Sequence, residues 1–390
     1  SIPDACDVDI SLEGTNLISF YALPDNPSVE NIFAGITGQN PGILGNSEST
    51  IYNAESSSWL GSLSDIEPTG GYWIIIDDEA DLAVEGIPTD PGIVYDLELN
   101  TNLVSYPFAG SAAIEATIPD GAQVSIDYIL GQGTASYNDG DNGWVGSLVN
   151  LSGTEGYWFI TNSAVSFTYN PPVEGAARME SLIRAVPVEY AFKQSTQQAF
   201  YFVNNATIGG EPIEKEDLII AYNGDVRVGS RLWYGETTDV PAMGYDPNNY
   251  GKYTDGYCEA GDRVTFKILD ASSGNLIDMV ADDETSWNNN GIAIISLSDQ
   301  IIPEEISFSA AYPNPFNPVT TLEFSVPIEM DVQVIVYDMM GRVVSELVSG
   351  LHEPGYHEVQ WNASQQSSGI YFVKMVAGGQ TNILKLMLVK

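Results

Sequence analysis

Oxygen ligands and aromatic rings are the side chains with which this chain of 390 residues could do chemistry. The stretch Asn138-Asp139-Gly140-Asp141-Asn142-Gly143 has the density of carboxylate and amide oxygens that calcium favours. Gly143 stands where a third acidic ligand would be needed, and no bidentate Glu follows at the EF-hand distance, so an Asx-rich turn is the default reading. Asp77-Asp78-Glu79, followed by Asp81, admits the same two readings. Calcium is therefore the one cofactor the sequence suggests, at Asp139 and Asp141 or at Asp77 and Asp78. Tyr245, Tyr250, Tyr253 and Tyr257 share a loop with Asp, Asn and Gly, and Trp233 lies upstream. Tyrosine combines rigid area with a polar tip, which suits a contact surface. A ligand groove, a subunit interface and a plain ordered loop are the three readings, with interface favoured.

Catalytic patterns are scarce. The only histidines, His352 and His357, fall near the C-terminus, so no His-based triad can form in the earlier modules. There is no HExxH, phosphate loop or dinucleotide fingerprint. A glycosidase needs only two carboxylates, and nothing singles out a pair among so many. The expectation is a protein that is not an enzyme. The two cysteines, Cys6 and Cys258, lie far apart; a disulfide would tie modules or subunits together, and two free buried thiols are the alternative.

The charge distribution constrains partners more than any motif does. The chain carries 13 Lys and Arg against 53 Asp and Glu, a formal net charge of −40. No Lys, Arg or His occurs from Ser1 to Ala177, so no side-chain salt bridge can form inside that region. About two dozen carboxylates there must be offset by solvent ions, bound metal or a partner's cations. Nucleic acid is excluded as a natural partner, and a salty or calcium-containing exterior suits such a surface. Nine of the thirteen cations fall between Arg178 and Lys267. Contact between the acidic front of one molecule and the less acidic middle of another would be electrostatically favoured. No run of about 18 apolar residues is present to span a membrane as a helix.

The elements that must position these residues are strands. Tyr52, Trp59, Gly61-Ser62-Leu63, Thr69 and Gly71-Tyr72-Trp73 recur 85 positions later as Tyr137, Trp144, Gly146-Ser147-Leu148, Thr154 and Gly156-Tyr157-Trp158. Upstream, Asn16-Leu17-Ile18-Ser19 recurs 86 positions later as Asn102-Leu103-Val104-Ser105, so one deletion separates two copies of one module. Alternating and aromatic runs such as Leu97-Glu98-Leu99 and Tyr72-Trp73-Ile74-Ile75-Ile76 predict β structure, with a helical turn at Ser28 to Phe33. The repeated rings are expected as core anchors, with sugar stacking as the alternative. Pro171-Pro172 closes the pair. A third β module follows, with strands through Phe200-Tyr201-Phe202-Val203, Leu218 to Tyr222 and Val264 to Leu269.

The chain ends in another β module. Pro313, Pro315 and Pro318 stiffen an extended lead that cannot become helix. Leu322, Phe324 and Val326, then Val332, Val334 and Val336, alternate as strands, and more follow to Val389. Short strands at this spacing predict a small antiparallel sandwich.

Five motifs here, in order, resemble the C-terminal sorting domain of type IX secretion cargo, which is immunoglobulin-like. They are Pro313-Asn314-Pro315-Phe316, the turn Tyr337 to Arg342 with Gly341, the run Pro354 to Trp361, the run Ser368 to Met375, and a closing strand through Lys385 to Lys390. The resemblance covers about the last 80 residues and implies an address: entry to the periplasm by a signal peptide, then export to the outer surface or exterior of a Gram-negative bacterium, with the type IX machinery as partner. The chain begins at Ser1 without Met, which agrees with a signal peptide already removed. The third module resembles an uncharacterised β module of such cargo, on Ala199 to Phe202, Tyr222 to Arg231, Asp239 to Gly244 and Phe266 to Gly274.

The expectation is thus an all-β protein of tandem small antiparallel modules: residues 1–88 and 89–171 as two copies, 172–303 as a β-sandwich module, and 304–390 as an immunoglobulin-like sandwich. Its expected role is a non-catalytic structural protein of an extracellular filament, sheath or surface layer, self-associating into a homo-oligomer or polymer. An adhesin binding surface glycans is the alternative.

Overall fold

A computed structural model of the protein describes residues 5–140, 142–172, 182–247, 254–299, 303, 305–309, 311–352 and 354–390. Among the described residues strands dominate, and the helices are short, from three to six residues. One of these, Val29–Ile32, sits where the helical turn was expected, with the Ser28 hydroxyl accepting the Asn31 N–H at 3.3 Å as an N-cap.

Each repeat copy builds the same five-stranded sheet. In the first its order is Thr15–Ile18, Tyr72–Ile75, Gly42–Leu44, Ser49–Asn53, Ser58–Gly61, and in the second Asn100–Val104, Tyr157–Thr161, Ile126–Gly131, Thr134–Asn138, Trp144–Gly146. A second layer closes each core: Cys6–Leu12 pairs with Ala80–Pro88 in the first copy, and Tyr95–Leu97 pairs with Val165–Phe167 in the second. Val8, Phe20, Phe33, Ile43 and Ile74 fill one core; Tyr106, Ile129, Phe159 and Tyr169 fill the other. The repeated tyrosine behaves alike in both. The Tyr72 hydroxyl accepts the Glu67 N–H at 2.8 Å, and the Tyr157 hydroxyl accepts the Ser152 N–H at 2.7 Å. Both rings are buried, as core anchors should be.

Strand register moves the deletion. Thr50 stands opposite Ile43 and Ser136 opposite Ile129, a shift of 86, while Tyr52 stands opposite Trp59 and Asn138 opposite Trp144. The lost residue therefore lies in the turn after Tyr52, and the structural counterpart of Tyr52 is Asn138, not Tyr137. A one-residue slip sends a side chain to the other face. Tyr52 accordingly packs on Trp59, at 5.4 Å between centroids, and Tyr137 packs on Phe202 of the third module at 5.0 Å.

The copies hold each other reciprocally. Gly71 N–H donates to the Leu103 carbonyl at 3.3 Å and Gly156 N–H to the Leu17 carbonyl at 3.2 Å; Ser105 N–H donates to Thr69 and Ser19 N–H to Thr154. This exchange is that of a two-fold contact. Glycine is needed at its centre, because a Cβ on Gly156 would lie 2.7 Å from the Ile18 carbonyl oxygen and one on Gly71 2.9 Å from that of Val104. Leu17, Trp73 and Leu103 pack together there, with Leu44 and Trp158 against them.

The third module is a sheet of order Glu211–Pro212, Gln198–Ile208, Ile292–Ser298, Leu276–Ala281, Val264–Leu269, Leu218–Asn223, Val226–Leu232, with Thr238–Met243 also on Gln198–Ile208. It curls until Gly229 meets the Pro241 carbonyl, where a Cβ would stand 1.6 Å from oxygen. Phe200 and Phe202 cover Leu130 and Ala135 of the second copy. The expected separate modules are thereby joined: Ser1–Asn205 with Ile213–Ser296 form one compact unit, and Ala206–Pro212 with Leu297–Lys390 form the other. Non-local burial joins them, which no local pattern announces.

The second unit contains the expected sandwich. A sheet of Ser307–Phe308, Val319–Val326 and Gly355–Asn362 faces one of Val343–His352, Met330–Asp338, Gly369–Ala377 and Gln380–Leu388. The alternating residues meet in between: Leu322, Phe324 and Val326 from one layer, Val332, Val334, Val336 and Val373 from the other.

Candidate functional site

In the C-terminal sandwich the motif residues converge on the last strand. The peptide bonds before Pro313 and Pro315 are cis. Asn314 between them bridges the strand edge: its Nδ2 donates to the Lys385 carbonyl and its Oδ1 accepts the Met387 N–H, both at 2.9 Å. Phe316 continues the pairing, donating to Met387 and accepting from Val389. Its ring is buried 5.3 Å from Trp361, which in turn sits 5.1 Å from Tyr371. The Thr320 hydroxyl donates to the Pro313 carbonyl at 2.8 Å. The lead thus covers part of an edge that would otherwise offer unpaired backbone groups. Widely spaced motifs have become one structural feature.

In the turn after Asp338, Gly341 takes φ 75°. Asp338 accepts the Met340 and Arg342 N–H groups and, at 2.7 Å, the Arg342 guanidinium. The Arg342 N–H foremost, with the guanidinium behind it, holds the Asp338 carboxyl below its ordinary range. Lys390 is fixed at both ends: its N–H donates to Ser368 Oγ at 3.0 Å and its Nζ to the Ser364 carbonyl at 2.6 Å. The Lys385 side chain is exposed. His352 and His357 flank Phe324, their rings 5.3 Å apart, and His352 Nδ1 bonds the Gly350 carbonyl. These hydrogen bonds fix the motif residues of the sandwich, Lys390 included, in one arrangement.

The other expected sites are dispersed. Trp233 is buried, its N–H on the Asp217 carbonyl, and Tyr257 is buried with its hydroxyl accepting from Lys193 N–H and donating to the Lys193 carbonyl. Both are interior rings rather than contact surface, because each packs into the third module's own core. Tyr245 is half-buried, and Tyr250 and Tyr253 lie outside the described residues. Asp139 accepts a hydrogen bond from the Asn142 amide, Gly140 N–H donates to Asn138 Oδ1, and Asp141 lies outside the described residues. That geometry is an Asx turn. Asp77 accepts from Asn40 Nδ2 at 2.8 Å, and Asp78 is exposed. Among the described residues no three His, Cys, Asp or Glu side chains group as metal ligands. Cys6 and Cys258 are both free, and burial foremost pushes the Cys258 thiol up to about 12.

One buried polar site escaped sequence reasoning. Asp239, fully buried, takes Ser147 N–H and Tyr234 Oη on one oxygen, and Ala135 N–H, Ser147 Oγ and Arg231 on the other. Arg231 also donates to the Gly133 and Asp239 carbonyls. Both residues fall in phrases by which the third module resembles other cargo, and that was the available signal. The pair clasps the second repeat copy to the third module.

Comparison with known proteins adds one family. Residues 310–390 match the secretion system C-terminal sorting domain. No curated protein matches the chain. Among solved structures, dimeric latent PorU from Porphyromonas gingivalis is 9% identical, with a TM-score of 0.19; the match covers 98% of this chain and 30% of that one. At that score it bears on neither fold nor activity. No helix among the described residues is long and apolar enough to cross a membrane. With the motif residues assembled as one sandwich and the family match laid over them, residues 310–390 are a C-terminal sorting domain and the chain is type IX secretion cargo, exported to the cell surface or extracellular space of a Gram-negative bacterium.

Proposed function

We propose that the chain is a non-catalytic structural protein that self-associates into an ordered extracellular assembly, a filament, sheath or surface layer. The observation that carries this reading is the construction of the first unit. Two cation-free copies are locked by reciprocal strand contacts and then clasped to a third module by the buried Arg231–Asp239 pair. Tandem modules ordinarily move against one another unless a large interface fixes them. A stiff block suits a building unit, since every degree of freedom left in a subunit must be frozen on assembly. Calcium at the acidic surface would serve as a counterion for packing such blocks together.

Electron microscopy of the purified chain, with calcium and after chelation, tests this. Ordered polymers are expected with calcium; dispersed particles under both conditions would sink the reading.

A second reading, an adhesin for surface glycans, is favoured by two matching clefts between the repeat copies. One, of about 360 Å³, is lined by Asn46, Asp65 and Asp96; its counterpart, of about 670 Å³, by Asp9, Asn150 and Glu155. Hydroxyl-rich ligands suit such amide and carboxylate walls. Binding on a glycan array that disappears with Asn46→Ala and Asp65→Ala, in a chain that stays monomeric, would favour this alternative.

A further inference from the structure

The two clefts between the repeat copies are built alike, yet the chain itself fills part of only one. At the larger cleft the Leu17 N–H donates to Gln132 Oε1 at 2.8 Å, and both residues line that cleft. Gln132 sits in the turn that joins Ile126–Gly131 to Thr134–Asn138. A side-chain carboxamide of the second copy thus caps a donor on the open strand edge of the first.

The smaller cleft repeats the edge without the cap. Leu103 is the counterpart of Leu17 in the repeat, and its carbonyl accepts Gly71 N–H as that of Leu17 accepts Gly156 N–H. In an antiparallel strand the N–H and carbonyl of one residue point to the same side. The Leu103 N–H therefore faces the cleft, away from the Tyr157–Thr161 strand, and Leu103 lines that cleft. Where the second copy's hairpin has Gln132, the first copy's has Asn46, one methylene shorter and exposed. Among the described residues no acceptor meets the Leu103 N–H. Leu103 is only 5% exposed, and a backbone donor so enclosed calls for an acceptor from outside the chain.

The walls select the acceptor. Glu48, Asp65, Glu67 and Asp96 line the smaller cleft, and no Lys, Arg or His does. An anion is repelled there, which leaves a neutral carbonyl, the group that Gln132 supplies at the other cleft. Carboxylates only accept hydrogen bonds, so the rest of the ligand must bring donors, as sugar hydroxyls do. An added peptide strand fits poorly, because the Leu103 carbonyl and the Ser105 N–H on the same edge are already bonded to Gly71 and Thr69. We propose that the smaller cleft binds an N-acetylated amino sugar, its acetamido carbonyl accepting the Leu103 N–H and its hydroxyls donating to the surrounding carboxylates. The inference rests on the glycan reading of the clefts, names the sugar class, and holds whether or not the chain polymerises.

Amide NMR titration of the full chain with methyl N-acetylglucosaminide and with methyl glucoside tests this, since the two sugars differ only in the acetamido group. The acetylated sugar is expected to shift the Leu103 and Gly71 amide signals and to bind at least about tenfold more tightly than the plain one. Gln132 is exposed, so Gln132→Ala should leave the spectrum otherwise intact while uncovering the Leu17 N–H. The acetylated sugar is then expected to shift Leu17 as well, with a second molecule bound. Equal affinity for the two sugars, or a Leu103 signal that neither moves, would overturn the proposal; so would a Gln132→Ala chain in which Leu17 stays unmoved. N-acetylglutamine amide that shifts Leu103 where the sugars do not would replace the sugar with a peptide side chain. Array binding to glycans that lack acetamido groups would remove this inference and leave the glycan reading standing; an array with no binding removes both.

Discussion

Asp239→Asn is the substitution that most directly probes how the first unit is held. The native carboxylate is fully buried and accepts five donors, from Ser147 N–H and Oγ, Tyr234 Oη, Ala135 N–H and the Arg231 guanidinium, the last at 3.3 Å. An amide of the same shape offers one accepting oxygen and turns its NH2 toward donors. It also leaves Arg231, 7% exposed, without its counterion. Breaking one partner of a buried pair costs about 3–5 kcal/mol, chiefly from the uncompensated charge left behind. The loss should fall on the contact between the second copy and the third module. Urea unfolding followed by tryptophan fluorescence would read it as a lower midpoint, and amide exchange would show faster opening at Ala135 and Ser147. Replacing both members by apolar residues, Arg231→Met with Asp239→Leu, should cost at least as much as Asp239→Asn alone, because it removes the buried charges but leaves the Ala135 and Ser147 N–H groups and the Tyr234 hydroxyl without their acceptor. A loss under about 1 kcal/mol for the single variant would refute the argument that this pair fastens the modules.

Three other expectations concern the sorting sandwich, the repeat contact and an exposed turn. Phe316→Ala removes a buried ring from the lead and should destabilise the sorting sandwich by about 3–5 kcal/mol, seen as a lower melting temperature and reduced export of the full chain. Gly156→Ala places a Cβ 2.7 Å from the Ile18 carbonyl oxygen and should cost about 1–3 kcal/mol, with exchange protection lost at Gly71 and Gly156 together because their contacts are reciprocal. The Ser273 hydroxyl foremost, with the Ser272 and Ser273 N–H groups, lowers the Asp270 carboxyl from 3.8 to about 2. The folded value being depressed, its contribution is complete above pH 3.8 and is lost as pH falls through about 2; a carboxyl carbon titration by NMR with an ordinary midpoint would contradict this.

Much of the molecule was legible in one dimension. Alternation of apolar residues named the strands of both sandwich layers, and the Gly-Tyr-Trp repeat announced two copies, because these signals are local and a strand's faces follow from its period of two. The sorting domain was legible because its motifs each fix a local feature: the lead over the strand edge, the Gly341 turn, the tethered Lys390. The tyrosine loop was less tractable. Composition cannot separate an exposed Tyr257 from one whose hydroxyl is locked on the Lys193 backbone 64 positions away.

Sequence by itself determined the strand content, the duplication, the cation-free front and the export address, all carried by residue type at short spacing. Tertiary structure alone decided that Tyr52 and Tyr137 face opposite ways, that three modules fuse into one unit, that Cys6 and Cys258 stay apart, and that Arg231 and Asp239 are buried together. The first follows from the strand register set by the residue lost in the turn after Tyr52; the other three share one physical reason. Each depends on which distant surfaces exclude water from one another, and burial between segments 98 residues apart, as between Gly133 and Arg231, leaves no periodic trace in the chain.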